Sequence, residues 1–158
     1  MISLIKPKFW DLKRKTLYSS ILYPFSLIYN VLFFLKKNFT NKIFLKKKVV
    51  CIGNIYLGGT GKTPLTIKIF KIIKKLGNKP LIIRKYYKNH NDEYNMIISE
   101  TGKLITDKSR LKAVSKANDK SDVLIFDDGL QDFSFHKDLK IVCFNDIQQI
   151  GNGLTLPA

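Results

Sequence analysis

Residues 53–64, GNIYLGGTGKTP, combine glycine, lysine and threonine in a spacing that suits phosphate chemistry. The glycines allow backbone conformations that turn successive N–H groups towards an anion. Lys62 can reach the β- and γ-phosphates of a nucleotide, and the hydroxyl of Thr63 can bind Mg²⁺. The strict pattern G-x-x-x-x-G-K-[ST] would have glycine where this chain has Tyr56. The alternative is a chance glycine-rich turn, but the GKT sequence at a strand–helix junction favours a phosphate-binding loop.

A metal-bound nucleotide also needs carboxylates, and DVLIFDD at residues 122–128 supplies two of them. Asp127 and Asp128 end an apolar run, at the carboxyl end of a predicted strand, where parallel sheets bind their ligands. Either carboxylate can hold Mg²⁺ through water. A simple acidic turn is the alternative, and the pairing with GKT favours the metal site. His90 and His136 lie in polar stretches, and we interpret both as surface residues.

Alternating strands and helices must position these residues. Residues 49–52 form an apolar run typical of a buried strand, apolar residues recur at helical spacing over 65–76, and 80–83 form a second strand. A strand, loop, helix and strand make one βαβ unit, which implies a parallel sheet with both faces covered. We therefore predict an α/β fold, a P-loop NTPase-like parallel sheet with helices on both faces, over residues 49–158.

Residues 1–48 differ from the rest in charge and hydropathy, and we predict that they form a membrane-associated helical segment. They hold 11 Lys and Arg but one acid, in a chain whose net charge is +16. Residues 16–35 carry no charge, and twenty helical residues at ~1.5 Å each would span about 30 Å, the thickness of a bilayer core.

Three arrangements of this segment are open: an interfacial helix or helical hairpin, a single membrane span, and a helix packed on a soluble domain. Basic clusters flank both ends of the uncharged stretch, so a span would leave one cluster on the outer side. The interfacial arrangement fits better, since lysines would meet anionic headgroups. We expect no nucleic-acid partner, because a DNA-binding arm rarely carries such an uncharged stretch.

Taken in order, the motifs resemble those of the tetraacyldisaccharide 4′-kinase family. They are GN-x-x-x-GG-x-GKTP, an Arg-x-Tyr segment, an Asp-Glu pair, DDG-x-Q and GNG-x-x-x-PA, and the resemblance runs to Ala158. Such enzymes transfer the γ-phosphate of ATP to the 4′-hydroxyl of a lipid A disaccharide 1-phosphate. The resemblance implies ATP and Mg²⁺ as cofactors and that lipid as acceptor. It also implies a place on the cytoplasmic face of the bacterial inner membrane, bound peripherally to the phospholipid surface or by a single span.

The resemblance further implies roles for single residues. Asp92, in the sequence NDEY, would be the catalytic base for the sugar hydroxyl, with Glu93 as its neighbour. Lys62 would bind the phosphates, and Asp127 or Asp128 would complete a Mg²⁺ site with Thr63. The ATP loop would comprise Tyr56, Leu57, Gly58, Gly59, Thr60, Gly61, Lys62 and Thr63.

Two other functions are open. The sequence GGTGKT also suits a membrane-bound P-loop switch ATPase. Such proteins usually carry an additional lysine early in the loop, but residues 55–57 of this chain are Ile-Tyr-Leu. The chain stops at LPA, where the resembled family continues into a second domain. We therefore expect an N-terminal portion, and a non-catalytic remnant is the third possibility.

Overall fold

The computed structural model describes residues 7, 16–54, 61–117, 121–144 and 153–155. Its elements are α1 (Leu17–Phe39), β1 (Lys48–Asn54), α2 (Lys62–Lys75), β2 (Pro80–Lys85), α3 (Asn91–Thr101), β3 (Leu104–Asp107), α4 (Arg110–Ser115), β4 (Val123–Asp127) and β5 (Leu139–Cys143). Contacts divide the chain into Lys42–Cys143 and a second unit that combines residues up to Asn41 with those from Phe144 onward. This division lies at residue 41, whereas the division predicted from composition lies at residue 48.

The Lys42–Cys143 unit is built on a five-stranded sheet in the order β3-β2-β4-β1-β5. Every adjacent pair is parallel: Val50 of β1 pairs with Ile125 of β4 and Leu139 of β5, and Ile82 of β2 pairs with Leu104 of β3. Parallel neighbours need crossover connections, which the helices provide here. The predicted parallel sheet is confirmed.

Helices cover both faces of this sheet, as predicted. On one face, alternate strand residues pack against Phe70 of α2 and Ile97 of α3. On the other face, the intervening residues pack against Ala113 of α4 and against Phe135. Burial on both sides explains why β1 and β4 read as continuous apolar runs rather than as an alternating pattern. Each fully buried large side chain contributes roughly 1.5–3 kcal/mol, so these two clusters are the main source of stability.

In the other unit, α1 is one continuous helix of 23 residues that passes through Pro24 without a break. It begins after Thr16, whose hydroxyl accepts a hydrogen bond from the Ser19 N–H, while the Ser19 hydroxyl accepts one from the Thr16 N–H. This capping box satisfies donors that the first turn leaves unpaired. With a mean hydropathy of 1.4, α1 is long and apolar enough to cross a membrane.

One side of α1 is polar and meets the segment around Thr155. The Ser26 hydroxyl donates to the carbonyl oxygen of Thr155, and the Thr155 hydroxyl donates to Oδ1 of Asn30 over 2.9 Å. Ser26 is 2% exposed, whereas most aromatic and aliphatic side chains of α1 are exposed. Ser26 and Asn30, two polar residues of the uncharged stretch, therefore form hydrogen bonds within the protein.

Candidate active site

The start of α2 follows the predicted phosphate loop. Within that loop Tyr56, Leu57, Gly58, Gly59 and Thr60 lie outside the residues that the structure describes, and the description resumes at Gly61. Gly61 has φ +73°, a left-handed conformation that costs glycine nothing. The helix begins at the next residue, so its first N–H groups and its positive end are available to an anion.

Lys62 lies between the ends of two adjacent strands. Its Nζ donates to Oδ1 of Asn54, the last residue of β1, over 2.8 Å and to Oδ1 of Asp128, just after β4, over 2.9 Å. The Lys62 side chain is 21% exposed and that of Asp128 is 40% exposed, so solvent or a ligand can reach the pair. The structure thus brings together two predicted site residues that are 66 positions apart in the chain.

Thr63 is buried and joins a polar network. Its hydroxyl donates to Oε2 of Glu93 over 3.0 Å and accepts from Nη1 of Arg84 over 3.2 Å. Nη1 of Arg84 also donates to Oδ2 of Asp127 over 2.6 Å, and Nη2 donates to Glu93. Arg84 therefore connects the start of α2, the end of β4 and the start of α3.

Asp127 and Asp128 are adjacent but have different surroundings. Asp127 is fully buried, and its Oδ1 accepts from the Thr66 hydroxyl over 3.1 Å. Burial raises the pKa of Asp127, while Arg84 and the Thr66 hydrogen bond act in the opposite direction. Asp128 has φ +57°, which is uncommon for a residue with a side chain, and its carboxylate meets Lys62.

Two buried cations hold the turn that contains Asp128. Nη2 of Arg110 donates to the carbonyl oxygen of Asp128, and Nη1 to Oδ2 of Asp132, each over 2.9 Å. Nζ of Lys137 donates to the carbonyl oxygen of Gly129 over 2.6 Å, and burial lowers the pKa of this lysine. Hydrogen bonds from charged donors are stronger than those between neutral groups, so these bonds stabilise the left-handed turn that contains Asp128.

The acidic pair at the start of α3 is split between two environments. Glu93 is held by Arg84 and Thr63, and its Oε1 lies 3.0 Å from Nδ1 of His90. Burial acts to raise the pKa of Glu93, but the hydrogen bond and charge of Arg84 and the bond from Thr63 outweigh it and lower the pKa. Asp92 is exposed in the first turn of the helix. The structure thus places Glu93, and not Asp92, against Thr63 at the start of α2.

His90 is partly exposed, in line with its interpretation as a surface residue, but it also contacts the site. Its side chain is 39% exposed, and Nδ1 lies 3.2 Å from Nη2 of Arg84 as well as near Glu93. The helix start brings the ring back over the end of β2, which a polar sequence context did not reveal. His136 is exposed, as expected, and stacks on Phe44 with ring centroids 4.7 Å apart.

Sequence reasoning assigned no role to three residues of this site, although two of them, Asn54 and Arg84, lie in the motifs quoted above. Arg84 interrupts the buried strand PLIIRK, and a charge inside such a run requires a buried partner. Thr66 lies on the buried side of α2 among apolar residues, and Asn54 ends the apolar run of β1. In each case the available signal was a polar side chain where the surrounding pattern is apolar.

An all-parallel sheet with the GKT helix after β1 and an aspartate at the end of the adjacent β4 defines a protein with the P-loop kinase fold. A family model described as Tetraacyldisaccharide-1-P 4′-kinase (LpxK) matches residues 18–158. The chain belongs to this family, as its motifs predicted.

Curated relatives and a solved structure agree with this assignment. A tetraacyldisaccharide 4′-kinase from Pelagibacter ubique (strain HTCC1062) is 45% identical over 160 residues, 99% of this chain and 50% of the relative. The enzyme of that name from Rickettsia canadensis (strain McKiel) is 34% identical, over 100% of this chain and 53% of the relative. A crystal structure of LpxK from Aquifex aeolicus in complex with ATP has a TM-score of 0.63 at 22% identity, covering 84% of this chain and 54% of that one. This likeness supports the fold, and the chain spans about half the length of the curated relatives it matches.

Proposed function

We propose that this chain provides the nucleotide-binding part of an ATP-dependent kinase whose acceptor is the 4′-hydroxyl of a tetraacyldisaccharide 1-phosphate. The observation that carries the proposal is the convergence of Lys62, Thr63 and the two aspartates at one edge of the sheet, in a member of this family. The solved relative from Aquifex aeolicus was crystallised with ATP, which supports ATP as the phosphate donor.

Lys62 and the start of α2 would bind the phosphates. In the structure the lysine is neutralised by Asp128, so an incoming phosphate would take over one or more of its three donors. The predicted loop at residues 56–63 would add backbone N–H groups, and the N-terminal end of α2 would add its positive partial charge. Because phosphoryl transfer depends mainly on positioning and charge neutralisation, these contacts supply most of what the donor needs.

Magnesium fits the oxygen atoms at this edge. Among the residues that the structure describes there is no group of three or more His, Cys, Asp or Glu that could hold a metal ion. Mg²⁺ in nucleotide sites needs fewer protein ligands, because phosphates and waters fill most of its octahedron. Thr63 and Asp128 would hold it, with the buried Asp127 acting through water. When bound, the ion would neutralise charge on the transferred phosphate.

We assign the catalytic base to Asp92 and a positioning role to Glu93. The carboxylate of Asp92 is exposed near the start of α3, where an acceptor hydroxyl can approach it. Glu93 is engaged by Arg84 and Thr63, and its lowered pKa makes it a weak proton acceptor. A positioned carboxylate accelerates such a transfer by taking the hydroxyl proton.

A lipid acceptor requires work at a membrane, and α1 has the composition for it. We propose attachment to the cytoplasmic face of the inner membrane, with the phospholipid surface as a partner. The exposed apolar side chains of α1 would enter the lipid, while Lys36 and Lys37 in its last turn would meet anionic headgroups.

The test is transfer of labelled phosphate from ATP to the disaccharide 1-phosphate acceptor in mixed micelles with Mg²⁺. The wild-type chain is compared with Lys62→Ala and Asp92→Asn, and ATP binding is measured in parallel. We expect Lys62→Ala to lose ATP binding, and Asp92→Asn to keep it while transfer falls by about 10²–10⁴-fold. Acceptor-independent hydrolysis would instead support the switch ATPase. ATP binding without transfer by the wild-type chain would overturn catalysis by this portion alone.

A further inference from the structure

An open cavity of about 480 Å³ is lined by three lysines and two tyrosines: Lys85, Tyr86, Tyr87, Lys88 and Lys108. We call it the lysine–tyrosine cavity. It lies where β2 and β3 end, on the same edge of the sheet as Lys62 and Asp128. We infer that this cavity binds the phosphate monoester of the acceptor, while the 4′-hydroxyl on the other sugar ring of the acceptor receives the transferred phosphate. This inference rests on the proposed function.

The charges of the cavity are not compensated within the described part of the chain. None of its three lysines forms an ion pair with a carboxylate there, although Lys85 lies over the ring of Tyr87, with Nζ 5.8 Å from the centroid. Asp107, which precedes Lys108, is paired with Lys116 over 2.7 Å, and Glu93 is paired with Arg84. Three unpaired cations around one cavity produce a local positive potential, which favours an anion with more than one negative charge.

The backbone of this cavity is held in place before any ligand arrives. The N–H of Tyr87 donates to the hydroxyl of Tyr94 over 2.6 Å, and the N–H of Tyr86 donates to the carbonyl oxygen of Asp107 over 2.8 Å. The rings of Tyr86 and Tyr94 are stacked with centroids 5.9 Å apart, and Tyr94 is only 7% exposed. Such a preformed site binds with a smaller loss of conformational entropy.

The position of the cavity along the sheet edge matches an acceptor that carries functional groups at its two ends. Counting from the phosphate loop after β1, the strands follow as β4, β2 and β3. Neighbouring strands lie about 4.8 Å apart, so β1 and β3 are separated by roughly 14 Å, a distance on the scale of a disaccharide. Asp92 lies in the first turn of the helix that follows β2, between those two ends. The tyrosine rings offer apolar faces to a sugar along that path.

A basic chain could attract any phosphate without a specific site, and a second cavity provides the matched control. This cavity of about 350 Å³ lies at the opposite edge of the sheet, beside the first residues of β2, and is also lined by lysines, among them Lys74, Lys79 and Lys103. Removing those three changes the net charge as much as removing the three lysines of the lysine–tyrosine cavity. A non-specific attraction would weaken equally in both variants.

The experiment is calorimetric titration of the whole chain with the acyl-free disaccharide 1-phosphate and with the same disaccharide lacking the phosphate. Three proteins are compared: the wild type, the triple variant Lys85→Ala, Lys88→Ala, Lys108→Ala, and the control triple variant Lys74→Ala, Lys79→Ala, Lys103→Ala. We expect the wild type to prefer the phosphorylated sugar by about tenfold, as one or two charge-assisted hydrogen bonds would give. The preference should vanish in the first variant and persist in the control.

Two results would overturn the inference: equal affinity of the wild type for both sugars, or equal loss in both triple variants. Circular dichroism checks that each variant is folded, and the milder pair Lys88→Gln, Lys108→Gln should give an intermediate loss. ATP titration of the same proteins separates this inference from the proposed kinase. A wild type that discriminates between the sugars but does not bind ATP would contradict the kinase alone, and the reverse would contradict the cavity alone.

Discussion

At the scale of single residues, Arg84 and Asp127 illustrate how a site buried in a parallel sheet is stabilised. The Arg84 side chain is 4% exposed and that of Asp127 is 0% exposed, so neither charge is solvated by water. Their mutual hydrogen bond, together with Thr66 and Glu93, replaces part of that solvation, while Nε of Arg84 is buried without a hydrogen-bond partner among the described residues. A buried ion pair adds little net stability, but the loss of one partner is costly because the other charge stays buried.

We therefore expect Arg84→Met to lower the free energy of unfolding by about 3–5 kcal/mol, since Asp127 would be left uncompensated. Adding Asp127→Asn should recover a large part of the loss, because the buried charge is then removed. Urea unfolding of the wild type, both single variants and the double variant measures this coupling. Additive effects in the double variant would show that the two residues do not act as a pair.

A second residue-scale prediction concerns Asp132 and pH. Burial acts to raise the pKa of Asp132, but hydrogen bonds from Arg110 and from the Ser134 N–H outweigh it and lower the pKa. A carboxyl with a lowered folded-state pKa stabilises the fold above its unfolded pKa of about 3.9 and loses that contribution as pH falls through the folded value.

Asp132→Asn should accordingly cost about 1.5–3 kcal/mol at pH 7, the range for a lost hydrogen bond to a charged group. The difference from the wild type should begin to shrink as the pH falls below the unfolded pKa of about 3.9, and it should vanish once the pH has fallen through the lowered folded pKa, where the wild-type carboxyl group is protonated in the fold as well. Thermal unfolding at a series of pH values tests this. A difference that stays constant down to pH 2 would contradict the role of the ionised carboxylate.

At the scale of elements, α2 has a left-handed glycine at each end. Gly61 precedes the helix with φ +73°, and Gly77 follows it with φ +84°. A Cβ at either position would meet no atom of the described residues within 4 Å, so the requirement that these residues impose is conformational and not steric. One of the two borders the predicted phosphate loop and the other does not, which makes them a matched pair.

Replacing either glycine by alanine should cost about 1–2 kcal/mol of stability, the penalty of a left-handed conformation for a residue with a side chain. Only Gly61→Ala should also weaken ATP binding, because it disturbs the direction of the first N–H groups of α2. Chemical unfolding and ATP titration of both variants provide the comparison. An equal loss of ATP affinity in Gly77→Ala would mean that the effect follows stability and not the loop.

The elements also show where sequence reasoning succeeds and where it stops. The apolar runs of β1 and β4 and the helical spacing of α2 are local patterns, and they predicted the strands, the helix and the parallel sheet correctly. The order β3-β2-β4-β1-β5 depends on crossovers between distant strands, and β5 is largely exposed, so no local pattern reveals its position. For the acidic pair, helix phase decides that Glu93 faces Thr63 while Asp92 stays exposed, and a short polar stretch does not fix that phase.

At the scale of the whole molecule, the proposed membrane attachment makes a prediction about α1. We expect the chain to sediment with vesicles that contain anionic phospholipid, and Phe25→Glu with Leu32→Glu to reduce the bound fraction severalfold, since both side chains are exposed on α1. The control triple variant Lys74→Ala, Lys79→Ala, Lys103→Ala, which removes three lysines outside α1, serves as the charge control. Unchanged binding of the double glutamate variant would contradict attachment through this helix.

The same vesicles separate an interfacial helix from a spanning one. Attachment that depends on headgroup charge should weaken strongly between low and high salt, because screening shortens the range of the lysine–phospholipid attraction. A spanning helix would remain bound through salt and alkaline washing. Release by salt would support the interfacial arrangement, and retention through both washes would support the span.

The pairing of β1 with β4 has a consequence for how the chain is made. Val49 of β1 lies in register with Leu124 of β4, some 75 residues later in the chain. At a synthesis rate of about 5–20 residues per second, roughly 4–15 s pass between the synthesis of β1 and the synthesis of β4, which pairs with it. During that interval an apolar strand with an unpaired edge is exposed, which is the kind of segment that aggregates or recruits chaperones. We therefore expect long-range loop closure, and not helix formation, to limit the folding rate of this sheet.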